Sequence, residues 1–402
     1  PEWWGESASR INANLLIDSP EEPPMAGDAG GGSNGSLGLG LQSLVGYRWQ
    51  VALGTQTVSV EMLEKLAQKG APLVRIGGQW VDLRPEDIDS ALKFLKSHPG
   101  GTMTLVEALR MANGIDGPPE ALPVSGVQAT GWVRQLLSGN DVSESFQMTS
   151  APESFRGILR PYQLSGLSWL VFLDRLGLGA CLADDMGLGK TLQTLAHIQL
   201  EKDAGRLSAP ALIIAPVSLL GNWQREALRF CPQLRSLIVH GKDRHDAAQS
   251  VQDFDLVIAP YSLLQRDRER WLQGQWHLVV LDEAQNIKNA STQAAQVAAQ
   301  IKSRHRLCLS GTPMENHLGE LWSLFHFLMP GFLGSEARFK ALFRNPIEKQ
   351  GSPERLTQLR ARITPFMLRR TKALVAHELP PKVETLLRVE LSGKQADLYE
   401  TI

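Results

Sequence analysis

The pattern of apolar and polar positions divides the chain into two parts with different periodicity. In the first part, apolar residues alternate over Tyr47–Leu53, which is typical of a strand with one buried face. Helical spacing follows over Ser59–Gly70 and again over Pro85–Ser97. Two short apolar runs, Pro72–Ile76 and Gln79–Leu83, flank a Gly–Gly pair, which predicts a β-hairpin. Together these elements predict a small α+β module.

From about residue 155, short apolar runs alternate with amphipathic helical segments. The runs contain almost no polar residues, as expected for parallel strands that are covered on both faces. They are Ala180–Leu182, Ala211–Ala215, Leu237–His240, Leu256–Ala259, Leu278–Leu281 and Leu307–Leu309. This alternation of strand and helix predicts an α/β fold with a doubly wound parallel sheet.

The patterns and the composition predict four regions along the chain. Residues 1–40 form an N-terminal segment that ends in a flexible Gly-rich linker, Ala26–Gly40. Residues 41–150 form the α+β accessory domain, and residues 151–380 form the α/β lobe with a helical extension. Residues 381–402 are too few for a domain with its own core.

Composition narrows the range of functions. The formal net charge is −1, so any contact with nucleic acid must come from local patches. No apolar run approaches the roughly 18 residues needed to span a membrane, and we predict no membrane partner. Cys181, Cys231 and Cys308 lie far apart, without metal-ligand spacing, and are expected to be reduced, buried thiols.

The segment Asp184–Thr191, DDMGLGKT, follows a predicted strand and precedes a predicted helix. This is the setting of a phosphate-binding loop. Its glycines let the backbone approach phosphate oxygens, and the helix N-terminus supplies N–H groups and a positive dipole end. Lys190 would reach the β- and γ-phosphates, and the Thr191 hydroxyl would hold Mg²⁺. Asp184 replaces the first glycine of the usual pattern, and a glycine-rich turn with an exposed lysine is the alternative.

The segment His277–Gln285, HLVVLDEAQ, is an apolar strand that ends in two carboxylates. Adjacent carboxylates at a buried strand end are costly unless a cation or a partner holds them. We expect Asp282 to bind Mg²⁺ and Glu283 to orient and deprotonate the attacking water. A solvent-exposed acidic turn is the alternative.

A third segment, Leu307–Asn316 (LCLSGTPMEN), brings small hydroxyl residues to the end of another strand. Ser310, Gly311 and Thr312 would sense the γ-phosphate there and relay its state. An isolated Ser–Gly–Thr–Pro turn would carry no such meaning. Its place after the two preceding motifs favours the coupling role.

In these three motifs the chain resembles the superfamily 2 helicase-like ATPases, and more narrowly the SWI/SNF-type DNA translocases. DDMGLGKT and DEAQNIKN point to that branch. The resemblance implies a RecA-like lobe with ATP and Mg²⁺ as its substrate and metal ion. The expected nucleotide contacts are Gln163, Asp185, Met186, Gly187, Leu188, Gly189, Lys190, Thr191 and Leu192.

The same resemblance implies a DNA-facing side. Ile213–Glu226, IIAPVSLLGNWQRE, is similar to the family's segment that touches the DNA backbone. The expected DNA contacts are Pro216, Ser218, Asn222, Trp223, Lys242 and Lys288. In Val257–Leu264, Ala259–Pro260 replaces the family's small hydroxyl residues, which removes two expected phosphate contacts.

Five basic residues near the end of the predicted lobe form the densest positive stretch. They are Arg360, Arg362, Arg369, Arg370 and Lys372. A solvated helix face is the usual explanation for such a run. The resemblance instead implies a position near the cleft between two lobes, with a nucleotide or DNA role. Both interpretations are open at the level of sequence.

The resemblance implies an ATP hydrolase that translocates on double-stranded DNA and remodels protein–DNA complexes. Because the chain begins at Pro1 and Val383–Ile402 resembles only the start of a second lobe, we expect it to be part of a longer protein that hydrolyses ATP poorly by itself. An ATPase-dead scaffold and an RNA-polymerase-associated recycling factor are alternatives. The accessory domain would contact a DNA-bound complex, RNA polymerase or chromatin-like. The expected location is cytoplasmic and nucleoid-associated in a bacterium, or nuclear in a eukaryote.

Overall fold

A computed structural model describes most of the chain. The described residues are 11–19, 44–53, 56–69, 73–76, 79–82, 85–98, 100–112, 124–137, 148–241, 248–375 and 393. Among them, no helix combines the length and the apolar character that crossing a membrane requires. Lys242, the Gly-rich linker and, apart from Gly393, Val383–Ile402 lie outside the described residues.

The described residues of the first part of the chain form seven strands. They are β1 (Ile11–Asp18), β2 (Leu44–Leu53), β3 (Gln56–Val58), β4 (Leu73–Ile76), β5 (Gln79–Asp82), β6 (Gly101–Thr104) and β7 (Val124–Ala129). Five of them form a sheet in the order β3-β2-β1-β7, with β6 also paired to β2. The pair β4–β5 is antiparallel, as the hairpin pattern predicted.

Four helices accompany these strands in the part of the chain that the structure describes. They are α1 (Val60–Lys69), α2 (Pro85–Ser97), α3 (Leu105–Ala112) and α4 (Gly131–Leu137). The predicted helices over Ser59–Gly70 and Pro85–Ser97 are therefore confirmed as α1 and α2. Acidic residues occupy the first turn of α2 and Lys96 its last turn, which suits the dipole of the helix.

The strand β1 corrects the predicted boundary at residue 40. All eight residues of Ile11–Asp18 pair with β2 in antiparallel register, and β7 pairs with the other side of β1 in parallel. Ala13, Leu15 and Ile17 are each 0% exposed. This segment therefore belongs to the sheet of the α+β module. Its period-two pattern was present in the sequence, but the Gly-rich segment that follows made it look separate.

The second part of the chain is built on a parallel sheet of seven strands. They are β8 (Ala180–Leu182), β9 (Ala211–Ala215), β10 (Ser236–Ile238), β11 (Leu256–Pro260), β12 (Trp276–Asp282), β13 (Ser303–Leu309) and β14 (Met367–Leu368). Their order is β10-β11-β9-β12-β13-β8-β14, and every pair is parallel. The predicted α/β fold with a doubly wound parallel sheet is confirmed.

The helices of this part mostly connect the strands. They are α5 (Pro161–Arg175), α6 (Lys190–Asp203), α7 (Val217–Phe230), α8 (Tyr261–Arg266), α9 (Arg268–Gln273), α10 (Gln293–Gln300), α11 (Leu318–Leu328), α12 (Glu336–Phe339), α13 (Asn345–Gln350), α14 (Pro353–Ile363) and α15 (Lys372–Val375). Short 3₁₀ turns occupy Ala248–Asp253, Ala284–Ile287 and Thr364–Phe366, and a π-helical turn occupies Lys340–Arg344.

The central strands are covered on both faces. Every residue of β9, β11 and β12 is buried, although successive side chains point to opposite sides of a strand. This explains why these runs contain apolar residues at consecutive positions and not at alternating ones. Cys181, Cys231 and Cys308 are free and buried, as predicted.

The last strand, β14, comes from a segment in which the sequence pattern predicted no strand. Met367 and Leu368 pair with Cys181 and Leu182 of β8. A two-residue strand has too little periodicity to be recognised from sequence. Its position matters because it fixes the chain beyond it beside the DDMGLGKT loop.

Candidate functional site

The carboxyl ends of three neighbouring strands bring the three predicted motifs together. Leu309 of β13 pairs with Leu182 of β8 on one side and with Asp282 of β12 on the other. Because the strands are parallel, the loops after these residues leave the sheet at the same edge. Ligands of open α/β sheets bind at this edge.

The loop between β8 and α6 has the backbone that a phosphate loop requires. Gly187 and Gly189 have φ angles of 84° and 78°, a conformation that favours glycine. A Cβ at Gly189 would lie 2.4 Å from Gln163 Nε2, so a side chain there would collide. The helix α6 begins at Lys190, and its first N–H groups therefore lie next to this loop.

The ammonium group of Lys190 lies inside the loop that precedes it. Its Nζ donates to the carbonyl oxygen of Asp184 at 2.6 Å and to that of Asp185 at 3.4 Å. These are backbone partners of a flexible side chain, so the ammonium can exchange them for phosphate oxygens. The arrangement is compatible with the predicted phosphate contact of Lys190.

The carboxylate of Asp184 explains why an aspartate replaces the first glycine of the loop. It is 0% exposed and forms a salt bridge with Arg370. The backbone N–H and Nε of Arg370 each donate to Asp184 Oδ1 at 3.0 Å. Arg370 also donates to the Gln193 side chain at 2.9 Å and to the carbonyl oxygen of Tyr162. The segment after β14 is thereby attached to the beginning of the phosphate loop.

Lys372 extends this attachment. Its backbone N–H donates to Asp185 Oδ2 at 3.0 Å. A Cβ at Gly187 would lie 3.7 Å from Lys372 Nζ, so the ammonium group is beside the loop. A second cation therefore lies close to the place where phosphate would bind.

The other basic residues of this stretch do not form one solvated face. Arg362 is 4% exposed, its guanidinium lies 4.3 Å from the centre of the Phe343 ring, and burial lowers its pKa to about 9. Arg360 and Arg369 are exposed. The interpretation as a single solvated helix face is wrong for Arg362 and Arg370, which pack into the protein.

Asp282 is held at the end of β12 by two aromatic residues. Trp223 Nε1 donates to Asp282 Oδ2 at 2.8 Å, and the Tyr261 hydroxyl donates to the Asp282 carbonyl oxygen at 2.9 Å. Burial raises the pKa of Asp282, and the Glu283 carboxylate raises it further. Trp223 and Lys190 favour the charged form without reversing the shift. A cation beside Asp282 would relieve this cost.

Glu283 has an unusual backbone conformation. Its φ angle is 49°, and among the described residues it is the one non-glycine with positive φ. Such strain persists where the surroundings hold it, and it is common at functional sites. Gln285 Nε2 donates to Glu283 Oε2 at 2.9 Å, which orients the carboxylate. Glu283 is partly exposed, in contrast to the buried Asp282.

The third motif contacts the other two. Ser310 Oγ donates to Gln285 Oε1 at 3.1 Å and accepts from the Thr312 backbone N–H at 3.1 Å. A Cβ at Gly311 would lie 3.2 Å from the Met186 side chain. Gln285 therefore connects Ser310 to Glu283, and Gly311 adjoins the phosphate loop. This contact chain gives the predicted coupling role a physical route.

The remaining predicted nucleotide contacts differ in accessibility. Met186 is 61% exposed and Leu188 is 2% exposed, while Thr191 and Leu192 are partly buried. Gln163 is 7% exposed, and its polar atoms bond within the protein, to the Leu188 carbonyl at 3.2 Å and the Arg160 N–H at 2.9 Å. Its predicted nucleotide contact stays a prediction and would require these bonds to exchange.

The donor groups at this edge fit a magnesium–nucleotide complex. The Thr191 hydroxyl and the Asp282 carboxylate are oxygen ligands of the kind Mg²⁺ prefers. The glycine cradle leaves room that a Cβ would fill, and the raised pKa of Asp282 reflects a buried carboxylate suited to a cation. Thr191 and Asp282 are thus the residues that could hold the ion.

The prediction that Trp223 contacts DNA needs correction. It is 1% exposed, and its indole N–H is bonded to Asp282, so the side chain supports the nucleotide edge from within. Ser218, five residues earlier, is exposed, and Pro216 is partly exposed. The α-helical period turns Trp223 inward while it leaves Ser218 outside.

Two other predicted DNA contacts are engaged in side-chain pairs. Asn222 Nδ2 donates to Glu226 Oε1 at 3.0 Å. Lys288 Nζ lies 2.9 Å from Glu315 Oε2, and this partner raises the pKa of Lys288. Both pairs lie where solvent can reach them, so the contacts stay predictions. Lys242 lies outside the described residues.

Sequence reasoning did not find four residues of this site. They are Asp184 as an ion-pair partner, Tyr261, Gln285 and Arg370. Gln285 and Tyr261 lie inside motifs that were recognised, so their place in the motif was an available signal. No local pattern predicts that Arg370 pairs with a residue 186 positions earlier.

The parallel sheet, the glycine loop at the start of a helix and the paired carboxylates define a RecA-like P-loop ATPase lobe. Comparison with known proteins supports a narrower class. The profile of the SNF2-related domain matches residues 162–402, and one described as SNF2 helicase protein matches residues 1–113. The chain therefore belongs to the SNF2 family.

Individual relatives agree with this assignment. YwqA of Bacillus subtilis, named as an ATP-dependent helicase/translocase, is 37% identical over the whole chain, which spans 44% of YwqA. The ISWI chromatin-remodeling complex ATPase ISW1 of Saccharomyces cerevisiae is 37% identical over 65% of the chain and 24% of its own length. The SWI2/SNF2 ATPase core of Sulfolobus solfataricus in complex with dsDNA is 42% identical, with a TM-score of 0.55. That match covers 64% of this chain and 54% of the solved chain. The chain thus spans less than half the length of YwqA and of ISW1.

Proposed function

We propose that the chain carries the ATP-binding lobe of an enzyme that hydrolyses ATP to translocate on double-stranded DNA and to remodel protein–DNA complexes. This proposal rests on one observation. The motifs DDMGLGKT, DEAQ and SGT lie together at one edge of the parallel sheet. The contacts through Gln285 and Met186 join them into one site.

The residues of this edge divide the chemistry between them. Lys190 and the N–H groups at the start of α6 bind the phosphates and stabilise the charge that develops on them. Glu283 holds and deprotonates the water that attacks the γ-phosphate. Thr191 and Asp282 would hold Mg²⁺, which when bound neutralises phosphate charge. Ser310 reports the state of the site through Gln285.

The DNA dependence of this activity is proposed from the relatives and from the surface residues. The solved Sulfolobus core is in complex with dsDNA, and Ser218 is exposed in the corresponding motif. Contacts from Pro216, Ser218, Asn222, Lys242 and Lys288 would be to phosphates and would carry no base specificity. Sequence-independent contact suits a protein that tracks along DNA.

One comparison tests the proposed function. ATP hydrolysis by the full-length protein is measured with and without double-stranded DNA, for wild type and for Lys190→Ala. We expect DNA to stimulate the wild type, because the motor is proposed to work on DNA, and we expect no stimulated turnover from Lys190→Ala. Equal hydrolysis with and without DNA would contradict DNA dependence, and undiminished turnover in Lys190→Ala would contradict the assigned site.

The 402 residues by themselves should hydrolyse ATP slowly. The family resemblance places the catalytic arginines in a second lobe, and in related phosphoryl transfer an arginine finger contributes on the order of 10³-fold or more. Brisk DNA-stimulated hydrolysis by the 402-residue chain would contradict this proposal.

We also propose that the N-terminal α+β module contacts the DNA-bound protein complex on which the motor acts. RNA polymerase and a chromatin-like complex are the two candidates. A binding experiment distinguishes them. Purified RNA polymerase and purified nucleosomes are each mixed with the full-length protein and with a variant lacking residues 1–147, and binding is compared. Binding that persists without residues 1–147 would contradict the proposed role of the module.

A further inference from the structure

Five ionisable side chains are packed together at the opposite edge of the seven-stranded sheet. Asp174 comes from the end of α5, His197 and Glu201 from successive turns of α6, His277 from the start of β12, and His305 from β13. All five are at most 3% exposed. Burying such groups is costly unless they are paired or coordinate a metal ion.

The contacts between imidazoles and carboxylates in this cluster are longer than charge-assisted hydrogen bonds. His197 Nε2 lies 3.5 Å from Asp174 Oδ2, and His277 Nε2 lies 3.6 Å from Glu201 Oε2. Charge-assisted hydrogen bonds between nitrogen and oxygen are about 2.7–2.9 Å long. Among the described residues, both ring nitrogens of His277 and Oδ1 of Asp174 have no hydrogen-bond partner. Buried polar atoms rarely lack a partner, so the cluster is incomplete as an internal network.

The spacing of three ligand atoms suits a metal ion. One ligand atom each of Asp174, Glu201 and His277 lies within 4.8 Å of the other two. Around a tetrahedral zinc ion with bonds of about 2.0–2.1 Å, neighbouring ligand atoms are about 3.3–3.4 Å apart. The 3.6 Å between His277 and Glu201 is close to that spacing. In the part of the chain that the structure describes, no other group of His, Cys, Asp and Glu meets this criterion.

Two arginines approach the carboxylates of the cluster from its rim. Arg206 lies 2.6 Å from Glu201, and Arg304 lies 3.7 Å from Asp174. The arginine side chains are 38% and 17% exposed, whereas the two carboxylates are 3% and 2% exposed. Water therefore screens the arginines more than the carboxylates. Hydrogen-bonded partners outside the ligand shell commonly support metal-binding carboxylates in this way.

We propose that Asp174, Glu201 and His277 bind a first-row divalent metal ion, with zinc as the expected occupant. Two carboxylates and one imidazole are a ligand set that zinc accepts, with a fourth position for another ligand. The ion would join α5, α6 and β12 and stabilise the folded state. His277 and Asp282 are five residues apart on β12, or about 17 Å, so this site is separate from the nucleotide edge.

Metal content is the direct test. The 402-residue chain is stripped with a chelator, dialysed against zinc, passed over a desalting column and analysed by mass spectrometry for metal. We expect one zinc per chain in the wild type and in Lys190→Ala/Asp282→Asn, which removes the nucleotide-side ligand. We expect loss of zinc in His277→Gln and Glu201→Gln. His326→Gln is the matched control, because His326 is a half-buried imidazole stacked on Trp322, away from the cluster.

Thermal unfolding gives a second readout. Zinc should raise the unfolding midpoint of the stripped wild type and of His326→Gln, because an ion that binds only the folded state stabilises it. It should not raise that of His277→Gln. A stripped wild type that neither takes up zinc nor shifts its midpoint overturns the proposal, whether or not the variants fold. Equal zinc content in wild type and folded His277→Gln also overturns it.

Discussion

The two edges of the same parallel sheet hold charged groups in opposite ways. At the carboxyl edge, Lys190 and Glu283 lie in or beside loops, are partly exposed, and bond to partners that they can exchange. At the amino edge, Glu201 and His277 lie within a helix and a strand and are buried. Exchangeable partners suit a substrate that must enter and leave, whereas groups inside regular elements suit a permanent structural role.

The helix α6 connects these two edges. It begins at Lys190 beside the phosphate loop and carries His197 and Glu201 near its other end. One helix therefore contributes a group that should act in turnover and groups that should act in stability. Substitutions along the sheet can separate the two roles.

The largest expected effect is that of Lys190→Ala on turnover. In the full-length protein with double-stranded DNA, the hydrolysis rate should fall about 10³-fold, since one preorganised charge at the transferring phosphate is lost. The rate is measured by phosphate release. Lys302→Ala is the control, because Lys302 is an exposed lysine just before β13 at the amino edge. A comparable loss in Lys302→Ala would break the distinction between the edges.

Arg370→Ala should have the next largest effect, on stability. It leaves the Asp184 carboxylate buried and unpaired, and breaking a buried ion pair costs about 3 kcal/mol or more. The free energy of unfolding is measured by urea denaturation. The neighbouring exposed Arg369→Ala should change it by less than about 0.5 kcal/mol. Equal effects of the two substitutions would show that the Asp184 pair is not a structural attachment.

Glu283→Gln should lower turnover by about 10²-fold, the lower end of the contribution of a general base. Glutamine keeps the hydrogen bond to Gln285 possible but cannot take a proton from water. ATP binding, measured by fluorescent-nucleotide titration, should change little, in contrast to Lys190→Ala. Turnover at the wild-type rate would remove Glu283 from the role of base.

The smallest expected effect is a change of folding stability with pH. It comes from Asp255, which lies away from both sites. Burial alone would raise the pKa of Asp255, but bonds from Lys202 and Arg235 outweigh it and lower this pKa. The stabilisation, about 1 kcal/mol, is present above the unfolded pKa of about 3.9 and is lost as pH falls through the folded pKa. Urea denaturation of wild type and Asp255→Asn between pH 7 and pH 3 measures it. If the difference in unfolding free energy between wild type and Asp255→Asn stays constant from pH 7 to pH 3, the prediction is contradicted.

Local pattern was sufficient for much of the fold. Consecutive apolar residues in β9, β11 and β12 reflect strands covered on both faces, and the period of the helices follows from their buried stripe. The phosphate loop was recognisable because its glycines, lysine and threonine are adjacent in sequence. The order of the three motifs also follows directly from their positions along the chain.

Contacts between distant elements were not accessible in the same way. Trp223 and Asp282 are 59 positions apart, and Asp184 and Arg370 are 186 apart. The strand β1 pairs with β2 across the Gly-rich linker, so its membership in the sheet is likewise a non-local fact. The sequence therefore misplaced Trp223 and the boundary at residue 40, and it left the position of Arg370 open.

The sequence by itself determined the α/β class, the order of the motifs and the chemistry of the phosphate loop, because each depends on residues that are neighbours in the chain. Only the tertiary structure decided which carboxylates have partners. It paired Asp184 with Arg370 and, among the described residues, left both ring nitrogens of His277 and Oδ1 of Asp174 without a hydrogen-bond partner. Burial and side-chain partners depend on how separate helices and strands pack, and that packing leaves no periodic signal along the chain.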